Sequence, residues 1–224
     1  VVIEDWLYPT AAEKHPDGRG HSPRRRRRLD RGFAGIDTQA MNYCSQCAQA
    51  VDFRIPEGDT LPRHICDHCG TIHYINPKII VGCLAEWEGQ VLICKRAIEP
   101  RHGLWTLPAG FMEREETAAE GAARETMEEA QATVRDPSLY AVLDVPQISQ
   151  LYLIYRGTLV DGAHHPGPES LETKLVHPAD IPWESLAFPT MQVTLQHYVD
   201  TAGADLTSTG PLTKTIRRPA RKPR

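Results

Sequence analysis

The chain has 224 residues, of which 41% are hydrophobic and 24% charged, and its formal net charge at pH 7 is -4. This length accommodates one substantial domain and a small module, and the apolar share excludes a chain too polar to build a core. We find neither a long apolar run nor the pattern of a secretory leader. We therefore expect no membrane-spanning segment, and we expect the protein to be cytoplasmic.

The charge is unevenly distributed along the chain. Residues 1–40 hold 8 Lys/Arg against 6 Asp/Glu, and residues 212–224 hold 6 against 0, which leaves 11 against 23, a net charge of -12, for the stretch between. An acidic body of this kind repels a nucleic-acid backbone. We therefore do not expect nucleic acid to be the partner.

The two basic ends lack the pattern of a folded element. Residues 1–40 mix Pro and Gly with the run PRRRRR and have no sustained apolar period, which predicts a disordered basic arm. The arginine run is either a solvated tail or a nucleic-acid or localisation patch. Residues 203–224, with the Pro-broken stretch TKTIRRPARKPR, are predicted to be a second basic, disordered tail.

Four cysteines precede the acidic body. Cys44, Cys47, Cys66 and Cys69 are arranged as C-x2-C-x18-C-x2-C, which is the spacing of a four-thiolate zinc site. Four thiolates leave no open coordination position, so the Zn²⁺ is predicted to be structural, in a zinc ribbon over residues 41–75. The alternative is a pair of redox dithiols, although two such pairs so close together are redundant for that chemistry.

Residues 76–202 carry mixed strand and helix patterns. The β-branched runs PKIIVGCLAEW and QVLICKRA flank Glu88 and Gly89, which predicts a hairpin. LYAVLDV and SQLYLIYRGTLV predict two further strands, and Cys83 and Cys94 are expected to be buried hydrophobic residues. The order lacks a strict βαβ alternation, so we predict an α+β fold with a mixed sheet and helices on its faces.

Two helices are predicted in this region. The stretch from Thr117 to about Ala130 is rich in Ala and Glu at helical spacing, and Thr117 with Glu120 forms a capping box. A second, amphipathic helix is expected from about Thr190 to Val199, after the Pro-punctuated stretch HPADIPW.

The first of these helices brings several acids together. Glu125, Glu128 and Glu129 lie at i, i+3 and i+4, so their carboxylates converge on one face. Like charges at this spacing destabilise a helix, and a divalent cation bound by oxygen ligands, Mg²⁺ or Mn²⁺, would compensate. The alternative is a solvated acidic face with Arg114 and Arg124 as partners.

The spacing G-x5-E-x7-R-E-x-x-E-E resembles the Nudix box, the signature of Nudix hydrolases. Three positions depart from the usual pattern: Thr126 replaces a bulky aliphatic residue, Gln131 a glycine, and Glu115 the glycine common before the first glutamate. None of these departures removes a carboxylate. The residues on pattern positions are Gly110, Glu116, Arg124, Glu125, Glu128 and Glu129.

A zinc ribbon joined to such a domain by HYINPK is similar to two Nudix subgroups, the NADH pyrophosphatases and the zinc-ribbon enzymes that resemble FAD pyrophosphatases. The phrases RIPEGDTLPRHIC, KRAIEP, WTLPAGFME and ISQLY look like the second subgroup. The stretch SQPWPFPxS of the NADH pyrophosphatases is absent after the box. The resemblance implies a Nudix α/β/α sandwich over residues 76–202, preceded by the ribbon.

The resemblance also implies roles for individual residues. Glu125, Glu128 and Glu129 would hold the divalent ions, helped by the backbone carbonyl of Ala109. Glu116 would be an outer ligand or a partner that orients Arg124, and Arg124 is better suited to holding a carboxylate than to touching substrate.

Other candidate residues lie outside the box. Glu172 matches a position where related enzymes carry a further metal ligand or general base, and a plain surface glutamate is the equal alternative. Phe111, Trp105 and Tyr152 are candidates for stacking on a flavin or adenine ring, and each fits the core as well.

The resemblance therefore implies a nucleotide pyrophosphatase that cleaves a small-molecule dinucleotide, with FAD favoured, into two monophosphates by metal-activated water. NADH, ADP-ribose or an RNA cap are the alternative substrates, and a homodimer is an assembly left open. A different class also fits: a non-catalytic zinc-ribbon module that binds nucleotide or nucleic acid. The intact carboxylates argue against that second class.

Overall fold

The computed structural model describes residues 41–201 and 210–217, so the predicted arm and most of the predicted tail lie outside the described residues. A small three-stranded sheet precedes a larger mixed sheet that carries a helix on each face. The predicted α+β class is confirmed. Neither of the two described helices has the length and apolar composition needed to cross a membrane.

The ribbon is a small antiparallel sheet. The carboxylate of Asp59 stabilises the connection between its first two strands, because it accepts hydrogen bonds from the Arg63 guanidinium and from the N–H groups of Thr60 and Leu61. The same bonds, that of Arg63 first, lower the pKa of Asp59 to about 2. The strands are β1 (Asp52–Arg54), β2 (Arg63–Ile65) and β3 (Ile72–His73).

The larger sheet and its helices follow in chain order: β4 (Lys78–Trp87), β5 (Gln90–Arg96), β6 (Trp105–Thr106), β7 (Ala109–Phe111), α1 (Ala118–Ala130), β8 (Val134–Val145), β9 (Gln150–Leu159), β10 (Ser170–Val176), α2 (Pro189–Asp200) and β11 (Leu212–Thr215). Six strands lie side by side in the order β10, β5, β4, β9, β8, β11, while β6 pairs with β5 and β7 with β4. Since β4 is parallel to β9 and antiparallel to β5 and β7, the sheet is mixed.

The predicted hairpin is the β4–β5 turn. Trp87 pairs with Gln90, and the two residues between them, Glu88 and Gly89, have φ of 47° and 77°. Positive φ at both central residues is the mark of a type I′ turn, whose twist matches that of the flanking strands.

Alternate residues of the central strands face opposite sides of the sheet. On β4, Ile80 and Leu84 join the cluster beneath α2, whereas Val81, Cys83 and Ala85 join the cluster beneath α1. This period of two is what a sheet covered on both faces requires. Two hydrophobic layers therefore hold the two helices on opposite faces.

Both helices occur where the sequence predicts them. The Thr117 hydroxyl accepts from the Glu120 N–H at 3.2 Å, and the Glu120 carboxylate accepts from the Thr117 N–H at 2.8 Å, so the capping box is complete. Helix α2 extends one residue beyond the predicted range at each end. The C-terminal part of α1 carries the three glutamates.

Part of the predicted tail is ordered, which corrects the expectation that residues 203–224 lack structure. Leu212–Thr215 form β11, parallel to β8, and the N–H of Ile216 donates to the Asp144 carbonyl at 2.8 Å. β8 offers unpaired backbone groups on that side, and two β-branched threonines suit a strand. Pairing with the edge of β8 therefore orders a short segment that has no hydrophobic periodicity. Sequence patterns do not reveal such an edge.

Candidate active site

A cleft of about 1300 Å³ opens between β7, α1, the loop after β5 and the first turn of α2. Three acidic lining residues lie on α1 and make that end of the cleft acidic, while three basic ones lie at the end of β5 or in the loop that follows it. The acidic residues are Glu99, Glu113, Glu125, Glu128, Glu129 and Glu169, and the basic ones are Arg96, Arg101, His102 and Arg124. The apolar lining includes Ile80, Phe111, Val145, Ile148, Tyr152, Phe188, Met191 and Ile216.

Arg124 connects the acids on α1. Its Nε and Nη2 donate to both oxygens of Glu116 at 2.9 and 2.8 Å, and its Nη1 donates to Glu125 at 2.8 Å and to Glu128 at 2.9 Å. Nη2 also reaches the Phe111 carbonyl at 3.2 Å. The planar guanidinium fork suits this bidentate pairing and so fixes the carboxylates of Glu125 and Glu128 relative to Glu116.

The pKa of Glu116, which pairs with Arg124, shifts in the opposite direction to the pKa values of the buried glutamates. Hydrogen bonds, first from Arg124 and then from the Glu113 N–H, lower the pKa of Glu116 to about 2. Burial, followed by the charge of Glu125, raises the pKa of Glu129 to about 8. Burial also raises the pKa of Glu125, although Arg124 opposes this effect. Burial therefore disfavours the ionised forms of Glu125 and Glu129.

Gly110 allows the acids to approach the sheet. A Cβ atom at this position would lie 2.3 to 2.4 Å from the carboxylate atoms of Glu125. No side chain larger than hydrogen fits there without displacing that carboxylate. The glycine that opens the sequence motif therefore leaves the space that the Glu125 carboxylate occupies.

The four cysteine thiols form a compact cluster. Cys44 and Cys69 sulfurs lie 3.6 Å apart, Cys47 and Cys66 3.4 Å, and Cys47 and Cys69 3.5 Å. A tetrahedron with Zn–S bonds of about 2.3 Å has edges of about 3.8 Å, so the cluster nearly has the size that zinc needs. His73 Nε2 lies 3.3 Å from the Cys44 sulfur, outside the set of four thiols.

Two family models match this chain. One is a zinc-ribbon model described as Nudix N-terminal and matches residues 42–75, and the other is described as NUDIX domain and matches residues 77–197. The chain belongs to the Nudix family.

Individual relatives agree with this. A crystal structure of a NUDIX hydrolase from Nitrosomonas europaea is 51% identical, covers 80% of this chain and 100% of that chain, and has a TM-score of 0.73. An NAD-capped RNA hydrolase NudC from Photorhabdus laumondii is 29% identical over 58% of this chain, and an ADP-ribose pyrophosphatase from Methanocaldococcus jannaschii is 34% identical over 33%. The matches span 48% and 43% of these two curated relatives' own lengths.

The departures from the Nudix box have structural explanations. Glu115 and Gln131 stand where the pattern has glycine, and both adopt left-handed backbone with φ of 67° and 49°. The backbone conformation is thus kept without the residue that adopts it most easily. Thr126 is fully buried, and its hydroxyl donates to the Ala122 carbonyl at 2.8 Å, so its polar atom is satisfied within the helix.

Glu172 does not lie where the prediction needs it. It is on β10 opposite Lys95, its carboxylate lies 3.7 Å from the Lys95 ammonium, and it does not line the cleft. Glu169, three residues earlier, lines the cleft, and its charge contributes to raising the pKa of both Glu125 and Glu129.

The loop before β10 explains the position of Glu169. The N–H groups of His165 and Gly167 donate to the carbonyls of Ala130 and Glu129 at 2.8 and 2.9 Å, so the loop caps the C-terminal end of α1. A Cβ at Gly167 would lie 1.7 Å from the Glu128 carbonyl oxygen, so only glycine permits this approach. The docked loop holds Glu169 beside the box.

Two of the three candidate aromatic residues line the cleft, and the third does not. Phe111 is half exposed and lines the cleft, with the Lys78 ammonium 5.1 Å from its ring centre. Tyr152 lines the cleft from β9 and is buried. Trp105 does not line the cleft and instead packs against the core beneath α2, with Lys95 5.7 Å from its ring centre.

The Nudix carboxylates suit a divalent ion by their chemistry. Glu125, Glu128 and Glu129 offer the hard oxygen donors that Mg²⁺ and Mn²⁺ prefer, and the suppressed ionisation of Glu129 is what a cation relieves. Among the described residues, the four cysteine thiols, and not the three glutamates, form a group of possible metal ligands whose donor atoms all lie within 4.8 Å of one another. Because Arg124 holds Glu125 and Glu128, an ion must compete with part of that pairing.

Proposed function

We propose that this chain is a metal-dependent nucleotide pyrophosphatase that hydrolyses the pyrophosphate bond of a nucleoside diphosphate derivative to two monophosphates. The observation that carries this proposal is the acidic end of the cleft. There, two buried Nudix-box carboxylates, Glu125 and Glu129, stand beside Glu128, and the ionised form of Glu129 is disfavoured without a cation.

A bound Mg²⁺ or Mn²⁺ neutralises phosphate oxygens and lowers the pKa of an attacking water. The chain's own residues supply the positioning. Arg124 holds Glu125 and Glu128, and Glu116 fixes the guanidinium from the other side. A backbone hydrogen bond from Ala109 meets Glu129. We assign removal of the water proton to Glu169, in place of Glu172, because Glu169 lines the cleft and its charge acts on Glu129.

FAD is the substrate we favour. The chain carries the phrases KRAIEP and WTLPAGFME, which resemble the FAD pyrophosphatase-like subgroup, and lacks the stretch typical of NADH pyrophosphatases. The apolar part of the cleft, with Phe111 and Tyr152, offers surfaces on which a flat ring stacks.

NAD(H) and ADP-ribose are the second candidate substrates. The relatives named an NAD-capped RNA hydrolase and an ADP-ribose pyrophosphatase favour them. Both ligands share the adenosine diphosphate part with FAD, so the same acidic end would serve all three. The ribbon zinc would be structural, since four thiolates leave no position for substrate.

The expectations of a cytoplasmic enzyme, of a homodimer and of a small-molecule partner rather than nucleic acid stay predictions. Light scattering on the purified full chain tests the dimer. Inclusion of NAD-capped RNA among the substrates tests the exclusion of nucleic acid.

The decisive test is turnover of FAD, NADH, ADP-ribose and NAD-capped RNA with Mg²⁺ or Mn²⁺, with the monophosphate products measured. Glu129→Gln is expected to lower kcat at least about 100-fold, because a ligand of the activating cation is lost. Glu172→Gln, on β10 and outside the cleft, is the matched control and is expected to keep most of the activity. Full activity in Glu129→Gln, or no turnover of any of the four by the unmodified chain, would refute the proposal.

A further inference from the structure

The part of the cleft away from α1 is mainly apolar, with Gln150 among its lining residues, and is continuous with the sheet. Phe111 on β7 pairs with Ile80 on β4, and Ile80 pairs with Tyr152 on β9, so these three cleft residues lie side by side on adjacent strands. Adjacent strands are about 4.8 Å apart, so the row extends about 10 Å from the Nudix box. It leads toward the edge of the sheet where β8 and β11 pair.

The C-terminal strand completes this end of the cleft. Ile216 follows β11 and lines the cleft together with Val145 and Ile148, and its N–H donates to the Asp144 carbonyl. The match to the NUDIX domain model ends at residue 197, so Ile216 lies outside the matched region. This wall therefore comes from a C-terminal segment outside the part of the chain that the domain model matches.

One buried polar group in this region lacks a protein partner. Thr190 lines the cleft and is 3% exposed, and its hydroxyl has no hydrogen-bond partner within residues 41–201 and 210–217. One turn later, the equally buried Thr194 donates its hydroxyl to the Thr190 carbonyl at 2.9 Å. A buried hydroxyl left unpaired costs free energy, and a ligand in the cleft is a partner that would remove this cost.

Thr190 stands in the first turn of α2, where the helix is positively polarised. The N-cap residue, Phe188, makes no side-chain capping hydrogen bond, and both it and Pro189 line the cleft. The Arg96 guanidinium carbon lies 5.2 Å from the centre of the Phe188 ring. The start of α2 therefore contributes to the cleft lining a buried residue whose hydroxyl has no protein partner among the described residues, close to Arg96 and the Phe188 ring.

We propose that this end of the cleft, with Ile216 as its outer wall, binds a planar nitrogen heterocycle of the substrate, and that the Thr190 hydroxyl hydrogen-bonds the polar edge of that ring. The proposal rests on the proposed function and deepens it by naming a specificity-determining residue. A hydroxyl both donates and accepts, so it serves a ring carbonyl, a ring nitrogen or an N–H.

A ring fits this space better than a second phosphate. Val145, Ile148 and Met191 would desolvate a phosphate without pairing its charges, which is costly. A ring instead places its flat apolar faces against these side chains and needs only a few polar partners at its edge. The phosphates belong at the other end, beside the cation-binding acids.

The test uses adenosine and riboflavin, which carry the rings without phosphate, so that binding does not depend on the metal site. Calorimetric titration of the full chain is expected to detect binding of at least one of them. Thr190→Val, which keeps the shape and removes the hydroxyl, is expected to weaken that binding about tenfold, whereas Thr190→Ser and Thr194→Val retain wild-type affinity. Ile216→Ala is expected to weaken it roughly fivefold, with Lys214→Ala on β11 unchanged.

Thermal melting separates binding from folding. Because the Thr190 hydroxyl is unpartnered among the described residues, Thr190→Val is expected to melt no lower than wild type. Failure of both nucleosides to bind the wild type, or equal affinity of wild type and Thr190→Val, would overturn the proposal. Ring binding that persists in a chain without pyrophosphatase activity would refute the proposed function alone.

Discussion

At the scale of single residues, the acidic end is governed by competition for positive charge. Arg124 is shared among Glu116, Glu125 and Glu128, and its bidentate bond goes to Glu116. Among the described residues, no arginine hydrogen-bonds to Glu129, which is buried, and this explains why its pKa rises while that of Glu116 falls. A cation that enters the site would neutralise the negative charge that Arg124 leaves unpaired.

This difference predicts a pH dependence of stability in protein free of divalent ions. The pKa of Glu129 is raised from 4.5 to about 8 on folding, so the folded state binds the extra proton between these values. Stability is therefore expected to fall as pH rises through this window, by at most about 1.4 kcal/mol per pH unit. Urea unfolding at pH 5, 6, 7 and 8 measures the slope.

Two comparisons control this prediction. Glu129→Gln cannot ionise, so its stability should lack this slope. A divalent ion needs the carboxylate ionised, so its stabilising effect should grow from pH 5 to pH 8. An identical slope in wild type and Glu129→Gln would show that Glu129 does not titrate in this range.

At the scale of elements, α1 is fixed at both ends by the backbone as well as by side chains. Its start has a complete capping box, and its end is capped by N–H groups of the loop before β10. The residues that flank these ends, Glu115 and Gln131, are held in left-handed backbone. Left-handed backbone is strained for a residue with a Cβ, so a strained position flanks each end of α1.

Glu115 offers a direct measurement of that strain. It is exposed and has φ of 67°, a conformation that glycine adopts with less cost. Glu115→Gly is expected to raise the free energy of unfolding by about 0.5 to 1 kcal/mol, while Glu115→Ala, which removes the same charge but keeps a Cβ, should not. Chemical denaturation of the three proteins checks this, and a destabilised glycine variant would contradict the account.

At the scale of the whole molecule, a ribbon held by one cluster of thiols precedes a domain with its own two-layered core. The ribbon strands are two or three residues long and bury little apolar surface, so metal is expected to replace the missing core. The Nudix domain has its own core and is expected to fold without a structural metal.

The ribbon should therefore contain about one zinc ion per chain. Cys66→Ser is expected to lose the zinc, whereas Cys83→Ala, which removes a thiol buried in the Nudix domain, should keep it. Elemental analysis of the purified proteins measures both. Full zinc content in Cys66→Ser would contradict the predicted site.

Sequence patterns predicted the features that depend on neighbours in the chain: the thiol spacing, the capping box, the hairpin and the acids on one face of α1. The remaining features depend on contacts between distant segments. Glu169 rather than Glu172 meets the box because a loop docks on the end of α1, and Ile216 reaches the cleft because β11 pairs with β8. Trp105 resembles a stacking residue in sequence, but its strand directs it to the core.

Binding of Mn²⁺ by the box carboxylates is the central claim, and anomalous diffraction from crystals of the full chain soaked in millimolar MnCl₂ tests it most directly. The predicted result is an anomalous peak at about 2.1 Å from oxygens of Glu125, Glu128 and Glu129, with Arg124 still paired to Glu116. Absence of a peak, with Glu125 and Glu128 still bound to Arg124, would contradict the claim.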